Sequence, residues 1–268
     1  MTGDLIHLEY WALAAAGALV VALAGLSWAA RLGVARPLLI AGARTVIQLL
    51  LVGLVLEALF ANATLYWVAL MSAVMLLVAG REVMARQKRR FSGFWGFGLG
   101  TSAMFISSFS VAVLALAVLI QPQPWYQPQY AIPLLGMLLG NTMNGVALSV
   151  DRLTDGAWQR RHVIDARLAL GDPWGRAVED IRRDAMRSGM IPMINAMAAA
   201  GIVSLPGMMT GQILAGTPPI EAVKYQILVM LLITVGTGFG ALVAVWFGAR
   251  RLFDERERLR LDRLKGVV

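Results

Sequence analysis

An all-α, polytopic transmembrane helical bundle of about seven spans is predicted by three features of the sequence. The first is composition: 58% of residues are hydrophobic and 15% charged, where soluble domains carry about 25% charged residues. The second is a series of stretches without Asp, Glu, Lys or Arg, at 10–30, 58–80, 91–150, 188–220 and 225–249. About 20 apolar residues cross a bilayer. The longest stretch is interrupted by the Pro- and aromatic-rich QPQPWYQPQY at 121–130 and so holds two spans, and 37–60 adds another despite Arg44 and Glu57. The third is charge placement. All but two of the 24 Lys and Arg residues fall at 31–36, 81–90, 151–189 or after 249. Seven spans put these four segments on one face, which the positive-inside rule makes cytoplasmic. The N-terminus is then outside and the C-terminus cytoplasmic. Six spans, with one stretch re-entrant, would scatter the same charges over both faces. The net charge of +8 therefore points to the bilayer as partner and not to nucleic acid. The N-terminal Asp4, His7 and Glu9 lack the basic residues of a signal peptide, so the first span is expected to be retained. The chain contains no Cys, which excludes disulfides and thiolate metal sites.

Each span has its own character. Span one (10–30) is a plain Ala/Gly/Leu/Val helix. Span two (37–60) opens on Pro37, a favourable first-turn residue. It carries Arg44 and Gln48 four residues apart on one face. Two readings of Arg44 stand: a snorkelling interfacial cation, or a buried cation facing a cavity or partner. Span three (63–80) leads into REVMARQKRR, a basic run suited to anionic headgroups. Span four (96–120) begins with Gly96-x-x-x-Gly100, a close-packing spacing. Span five (131–150) contains Gly136-x-x-x-Gly140 and places Asn141 and Asn144 on one face. Two amides inside a bilayer need partners: helix–helix hydrogen bonds on one reading, a polar pathway on the other.

The soluble stretch 151–189 carries eight basic and seven acidic residues. It reads as two short amphipathic helices joined at Gly171, the second capped by Asp172-Pro173 and presenting Trp174, Val178, Ile181 and Ala185 on one face. Such helices lie on the membrane surface or dock a cytoplasmic partner. Span six (190–216) is charge-free yet holds prolines, five methionines, Asn195 and Gln212. Pro206 is expected to kink it, with Gly207-x-x-x-Gly211 following at once. Met190, Met193 and Met197 form a stripe, and Met208 and Met209 follow the proline. Thioethers fill irregular gaps or meet soft metals. Pro218-Pro219 marks the outer turn, span seven (224–248) contains Gly236-x-x-x-Gly240, and the tail reads as a solvated charged helix.

Motifs for chemistry are missing. No G-x-x-x-x-G-K-[ST] occurs, so the chain does not cradle ATP phosphates in that way. His7 and His162 are far apart and lie outside the spans. No Ser-His-Asp set and no paired intramembrane carboxylates are present. A proton-driven transporter generally needs an embedded acid or His, which disfavours a self-sufficient ion-driven carrier or channel. A non-transporting membrane scaffold remains an alternative.

The blocks PLLGMLLGNTMNGVALSVDRL (133–153), RLALG (167–171), IPMIN (191–195) and SLPGMMTGQILAGTPPIEAVKYQI (204–227) resemble the FetB-type permease family. These are membrane subunits of an iron-export ABC transporter, similar also to plant aluminium-tolerance permeases. The resemblance runs from Pro37 to about Phe253. It implies that residues 1–268 form a single transmembrane permease domain, with a cytoplasmic coupling segment at 151–189 and a charged tail at 249–268. It implies a homodimer working with a separate ABC ATPase that supplies ATP and Mg. No cofactor or catalytic residue is then expected in this chain, which would be a transport subunit and not an enzyme. The implied location is the plasma membrane, the inner membrane in a bacterium. The ATPase-docking candidates are Asp165, Ala166, Gly171, Asp172, Pro173, Trp174 and Ile181. Importer permeases carry E-A-A-x-x-x-G and I-x-L-P here; this chain has Asp165-Ala166-Arg167-x-x-x-Gly171 and Ile181, but Arg183-Asp184 in place of Leu-Pro. The hinge candidates are Pro206, Gly207 and Gly211. The pathway candidates are Arg44, Gln48, Asn141, Asn144, Asn195, Met208, Met209 and Gln212. Metal ligands are not assigned. The cargo implied is iron or another metal, although methionines and amides are not the ligands iron prefers.

Overall fold

The computed structural model describes residues 9–266, so Asp4 and His7 lie outside the described residues. The chain divides into two compact units, residues 1–63 with 214–217, and residues 64–213 with 218–268. In the first unit, α1 (Tyr10–Ala29) and α2 (Ala35–Ala61) form a hairpin. The turn uses Arg31 and Gly33 at positive φ. Ala24 and Ser27 are buried on α1, and the Ser27 hydroxyl donates to the Leu23 carbonyl, 2.8 Å. This returns the hydroxyl's bond to its own helix, as a lipid-surrounded hairpin requires. Arg44 and Gln48 stand one turn apart on α2.

The second unit begins with α3 (Leu65–Ala85). β1 (Arg89–Phe91) follows, and then α4 (Phe94–Met104) and α5 (Ser110–Leu114). π-helical turns at Phe105–Phe109 and Ala115–Ile120 continue α4 and α5 into one span. Next come α6 (Pro128–Gln159), α7 (Arg161–Ala169), α8 (Trp174–Ala177), α9 (Glu179–Ala199), α10 (Gly207–Leu214) and α11 (Pro219–Arg251). The proline at the start of α6 and of α11 is where its missing N–H costs nothing. The tail ends in β2 (Leu264–Gly266), antiparallel to β1.

α6, α9 and α11 form the core, and glycines set their separation. A Cβ on Gly189 of α9 would overlap Ser149 Oγ of α6 and lie 2.7 Å from the Gly145 carbonyl oxygen. One on Gly145 would overlap Thr237 of α11, and one on Gly240 would lie 2.9 Å from Ser107 Oγ and clash with Thr142. Side chains larger than hydrogen would push these backbones apart. Around them, Leu138, Val146, Val150, Leu153, Ala185, Ala241 and Ala244 are completely enclosed. Gly96 and Gly100 do the same for α4, whose Cβ positions come within 2.8 Å of the Phe91 carbonyl and 2.9 Å of Val83. The spacing at Gly136 is also used, against Met75, but Gly140, Gly207 and Gly211 have no neighbour within 4 Å.

Six helical stretches among the described residues are long and apolar enough to cross a bilayer: Tyr10–Ala29, Ala35–Ala61, Leu65–Ala85, Phe94–Ile120, Pro128–Gln159 and Pro219–Arg251. A further crossing follows from contacts at one end of the second unit. β1, after α3, pairs with β2 in the tail after α11. The Trp174 N–H, between α6 and α9, donates to Glu257 of that tail, 3.0 Å. The ends of α3, α6 and α11 therefore share a side, and the chain has to return across the bilayer through 179–218 before α11 begins. The stretch expected as span six does this, but not as one helix.

Three expectations are corrected here. Residues 190–216 do not form a helix kinked at Pro206: α9 stops at Ala199, and α10 starts only at Gly207. Residues 151–189 do hold a short helix, α7, that ends just before Gly171, but α6 extends to Gln159, the second helix is only the four-residue α8, and Ile181 and Ala185 belong to α9, which continues into the membrane. The tail is not a solvated helix. It turns at Phe253–Leu259 and pairs as β2. Its charges bond locally: Asp254 accepts the backbone N–H groups of Arg256 and Arg258, each at 2.9 Å, and Nε of Arg258, 2.9 Å. The Arg258 N–H foremost, with its guanidinium, holds the Asp254 carboxyl below its ordinary 3.8. The stabilisation is thus complete above pH 3.8 and disappears as pH falls through the lower folded value.

The glycine packing sets a test. Gly189→Ala is expected to cost about 1–3 kcal/mol of stability through overpacking, whereas Gly140→Ala, into open space, should be neutral or slightly stabilising. Thermal unfolding of both variants in one detergent checks this. Equal melting temperatures would contradict it.

Candidate functional site: a broken helix beside a polar groove

The register of α6 against α9 locates the site. Gly145 meets Gly189, and Gly156 meets Ile181, at 3.0 Å from a Cβ position to the Ile181 side chain. The helices are antiparallel and rise equally per residue. Continuing the register places Asn195 level with Asn141, and the end of α9 at Ala199 level with Met137. α9 therefore ends inside the apolar zone, with α6 continuing outward to Pro128.

The break is a compact, self-bonded loop. Ala200 leaves the helix at φ −64°, ψ 131°, and Gly201 follows at φ +80°, a conformation that glycine adopts without cost. The Ala199 carbonyl accepts the N–H groups of Val203 (3.0 Å) and Ser204 (3.1 Å), and the Gly201 N–H donates to the Ser204 carbonyl, 2.9 Å. Pro206 then leads into α10, its carbonyl accepting the Thr210 N–H, 3.1 Å. Pro206 and Gly207 thus begin the second half of the crossing, and Gly201 ends the first. Ile202 and Val203 at the tip are 88% and 83% exposed on the chain. Irregular backbone at this depth is tolerated where protein or a water-filled cavity covers it.

Below the break α6 presents Asn141, Asn144 and Leu148 as exposed side chains, the last two lining a polar groove beside Arg86. The Asn141 amide donates to the Met137 carbonyl, 2.8 Å. Arg86 Nη1, just past α3, donates to Asn144 Oδ1. The Lys88 N–H donates to Asp151, 2.6 Å, and Arg89 pairs with Asp155 at 3.4 Å while its guanidinium stacks 4.3 Å over Trp158. A cavity of about 220 Å³ is lined by Arg86, Asn144, Ala147, Leu148 and Asp151. The basic run read as a headgroup anchor is therefore engaged by α6, and Arg86 and Asp151 are site residues that sequence reasoning missed. Their signal was weak, because nothing local links residue 86 to residue 144. Asn195 is exposed on α9 at the level of Asn141.

The methionine stripe faces α11. Met193 is buried, Met190 lies 3.4 Å from the Cβ position of Gly238, and Met197 Sδ accepts the Thr234 hydroxyl at 3.1 Å. Met190 and Met197 thus fill the α9–α11 interface. Met208, Met209 and Gln212 are half-buried on α10, with Gln212 Oε1 enclosed and unpartnered. Among the described residues, no three His, Cys, Asp or Glu side chains stand together. His162 is exposed on α7.

At the arginine-rich end of the unit α7 and α8 form a ledge connecting α6 to α9. Asp165, Ala166, Gly171 and Pro173 are exposed and Asp172 is half-buried, while Leu170 is 88% exposed. Ile181 is 4% exposed, held against Gly156, and so lies outside the accessible surface. Trp174 packs 5.9 Å from the Phe253 ring. Arg167 pins the ledge to α9 by an ion pair with Asp180, 2.9 Å. A cleft of about 510 Å³ separates Asp165, Leu168, Gly171 and Asp172 from the tail at Arg256–Leu259.

Known proteins match this chain in sequence along most of its length. The uncharacterised protein family UPF0014 matches residues 10–253, and the chain belongs to that family of multi-pass membrane proteins. A UPF0014 membrane protein of Synechocystis is 39% identical over 267 residues, covering 97% of this chain and 99% of that one. The probable iron export permease protein FetB of Escherichia coli is 31% identical over 258 residues, 94% of this chain and 95% of its own. The Arabidopsis thaliana protein ALUMINUM SENSITIVE 3 is 31% identical over 218 residues, 80% and 77% of the two chains. No solved structure matches.

Because the chain has no Cys, a single introduced thiol is a clean reporter of the groove. Asn141→Cys and Asn195→Cys are expected to react with a charged, membrane-impermeant thiol reagent added to inverted vesicles, and Val146→Cys, fully enclosed, is not. No labelling at either asparagine position would show that water does not reach the groove.

Proposed function

We propose that this member of the UPF0014 family is the plasma-membrane subunit of an ATP-driven exporter, working as a homodimer with a separate ATPase seated on the α7–α8 ledge. The observation that carries the reading is the α6–α9 hairpin. Its cytoplasmic turn is an exposed ledge, its two arms are locked at Gly145 and Gly189, and one arm stops inside the membrane at Gly201. A push on the ledge reaches the break along about 30 Å of α9, a continuous helix that holds Pro192 in its interior. The absence of any phosphate-cradling loop in the chain leaves ATP and Mg to the partner.

In this mechanism closure of two ATPases tilts the two ledges. α9 and the self-bonded loop at Ala200–Ser204 move with the ledge, and Pro206–Gly207 and α10 take up the displacement, so the groove opens to one side of the bilayer and then to the other. The hinge lies at Pro206–Gly207, two of the three candidates, while the third, Gly211, lies within α10. Asn141, Asn144 and Asn195 offer amide oxygens along the way, and Arg86 governs the cytoplasmic mouth. The name of the E. coli relative favours iron as cargo, and that of the Arabidopsis relative a metal more generally. Amides and thioethers would make only passing contacts with such an ion, as release demands.

Proteoliposomes containing the chain with its ATPase test the proposal. ATP-dependent iron transport is expected from the complex, with none from either component alone. Leu170→Asp, on an 88% exposed side chain, should leave the fold intact and reduce coupled transport about tenfold or more, the size of a typical interface hot spot. Full transport by the chain without an ATPase would overturn the reading.

A further inference from the structure

A second cavity, of about 530 Å³, lies between the cytoplasmic ends of α9 and α11. Its two halves differ in chemistry. Arg176, Arg182 and Arg183 line one side against a single acidic residue, Glu179, and Met186, Leu242, Val245 and Trp246 line the other. Glu179 is already engaged by Arg183, and Arg176 meets Asp172 only at 3.8 Å. Arg182 has no carboxylate partner among the described residues: its Nε is enclosed and unbonded, and its guanidinium stands 6.0 Å from the Trp174 ring. Arg250 approaches the same ring at 5.5 Å. Two guanidiniums therefore approach one indole.

The apolar half belongs to the inner end of the α11 span, where Trp246 is half exposed as an interfacial aromatic. The basic half belongs to the cytoplasmic surface. We propose that this cavity binds the phosphate headgroup of an anionic phospholipid from the cytoplasmic leaflet. Arg182 and Arg176 hold the phosphate, and an acyl chain lies along Leu242, Val245 and Trp246. Arginine forks suit phosphate oxygens, and basic pockets between spans on the cytoplasmic side select such headgroups. The site adjoins Trp174 and the start of α9, so an occupied cavity steadies the joint between ledge and helix. The proposal rests on the topology and is independent of the cargo.

The test uses the purified full chain, delipidated in detergent. It is titrated with phosphatidylglycerol, with phosphatidylcholine of the same chain length, and with inorganic phosphate, and binding is read by native mass spectrometry and by the shift in Tm. Phosphatidylglycerol should bind at least about fivefold more tightly than phosphatidylcholine, and inorganic phosphate should not displace it. Arg182→Gln and Arg176→Gln should each lower that affinity about fivefold. Arg182→Lys should retain most of it, and Arg90→Gln, outside the cavity, should change nothing. Should Arg182→Gln fail to fold, Arg176→Gln decides, since that side chain is 71% exposed. Equal binding of the two lipids, or unaltered affinity in the Arg176 variant, overturns the proposal. Displacement by inorganic phosphate overturns the lipid as source and makes this a site for free phosphate.

Discussion

The contact on which the rest of the second unit depends is that between Gly145 and Gly189. In a bilayer, apolar side chains gain nothing by leaving lipid for one another, so helices associate through close fit and polar contacts. Here fit requires two glycines facing each other across antiparallel helices, with Ser149 and Thr237 filling the remaining space. Once α6 and α9 are joined in this register, the ends of α9 are determined. One arises at the ledge beside Gly156, and the other falls inside the apolar zone, level with Met137.

That termination distinguishes α9 from the other crossings. Six stretches satisfy the bilayer by length and apolarity alone. The crossing by α9 and α10 satisfies its backbone differently, by folding Ala199–Ser204 onto itself. Its exposed tip, with Ile202 and Val203, and the exposed amides of Asn141 and Asn195 occupy one depth range. The exposed amides and irregular backbone lie there, and the arginine-rich connections are gathered at the end that carries the ledge. The β1–β2 ribbon ties the connection after α3 to the tail, and Glu257 ties the tail to Trp174, so the ends of α3, α6, α9 and α11 on that side are fastened to one another.

Much of this was legible in the sequence, for physical reasons. Bilayer thickness forces long charge-free stretches, and the asymmetry of Lys and Arg orients them. Gly96 and Gly100 announced themselves by their spacing on one helix. Gly145 and Gly189 did not, because each is a single glycine whose partner lies on another helix, in a register visible only once both are placed. The break was half legible. Pro206 was read as a kink, but the helix ends well before it, at Ala199, where Ala200 turns extended and Gly201 follows at positive φ. The tail misled because alternating charges over a few residues suit a helix and a short strand equally, and its partner strand begins at Arg89, far away in sequence. Arg86 misled for a related reason: a basic residue at a span end ordinarily meets headgroups, whereas here it reaches Asn144.

The account stands on ledge and break moving as one body. Spin labels at Leu170 and Ile202, both highly exposed, placed in one chain and diluted with unlabelled chain, measure that directly in the ATPase complex. The distance between them is predicted to stay constant between nucleotide-free and ATP-bound states, while a label at Ile202 alone reports a changed distance between the two copies. A ledge-to-break distance that shifts as much as the distance between copies would contradict the account.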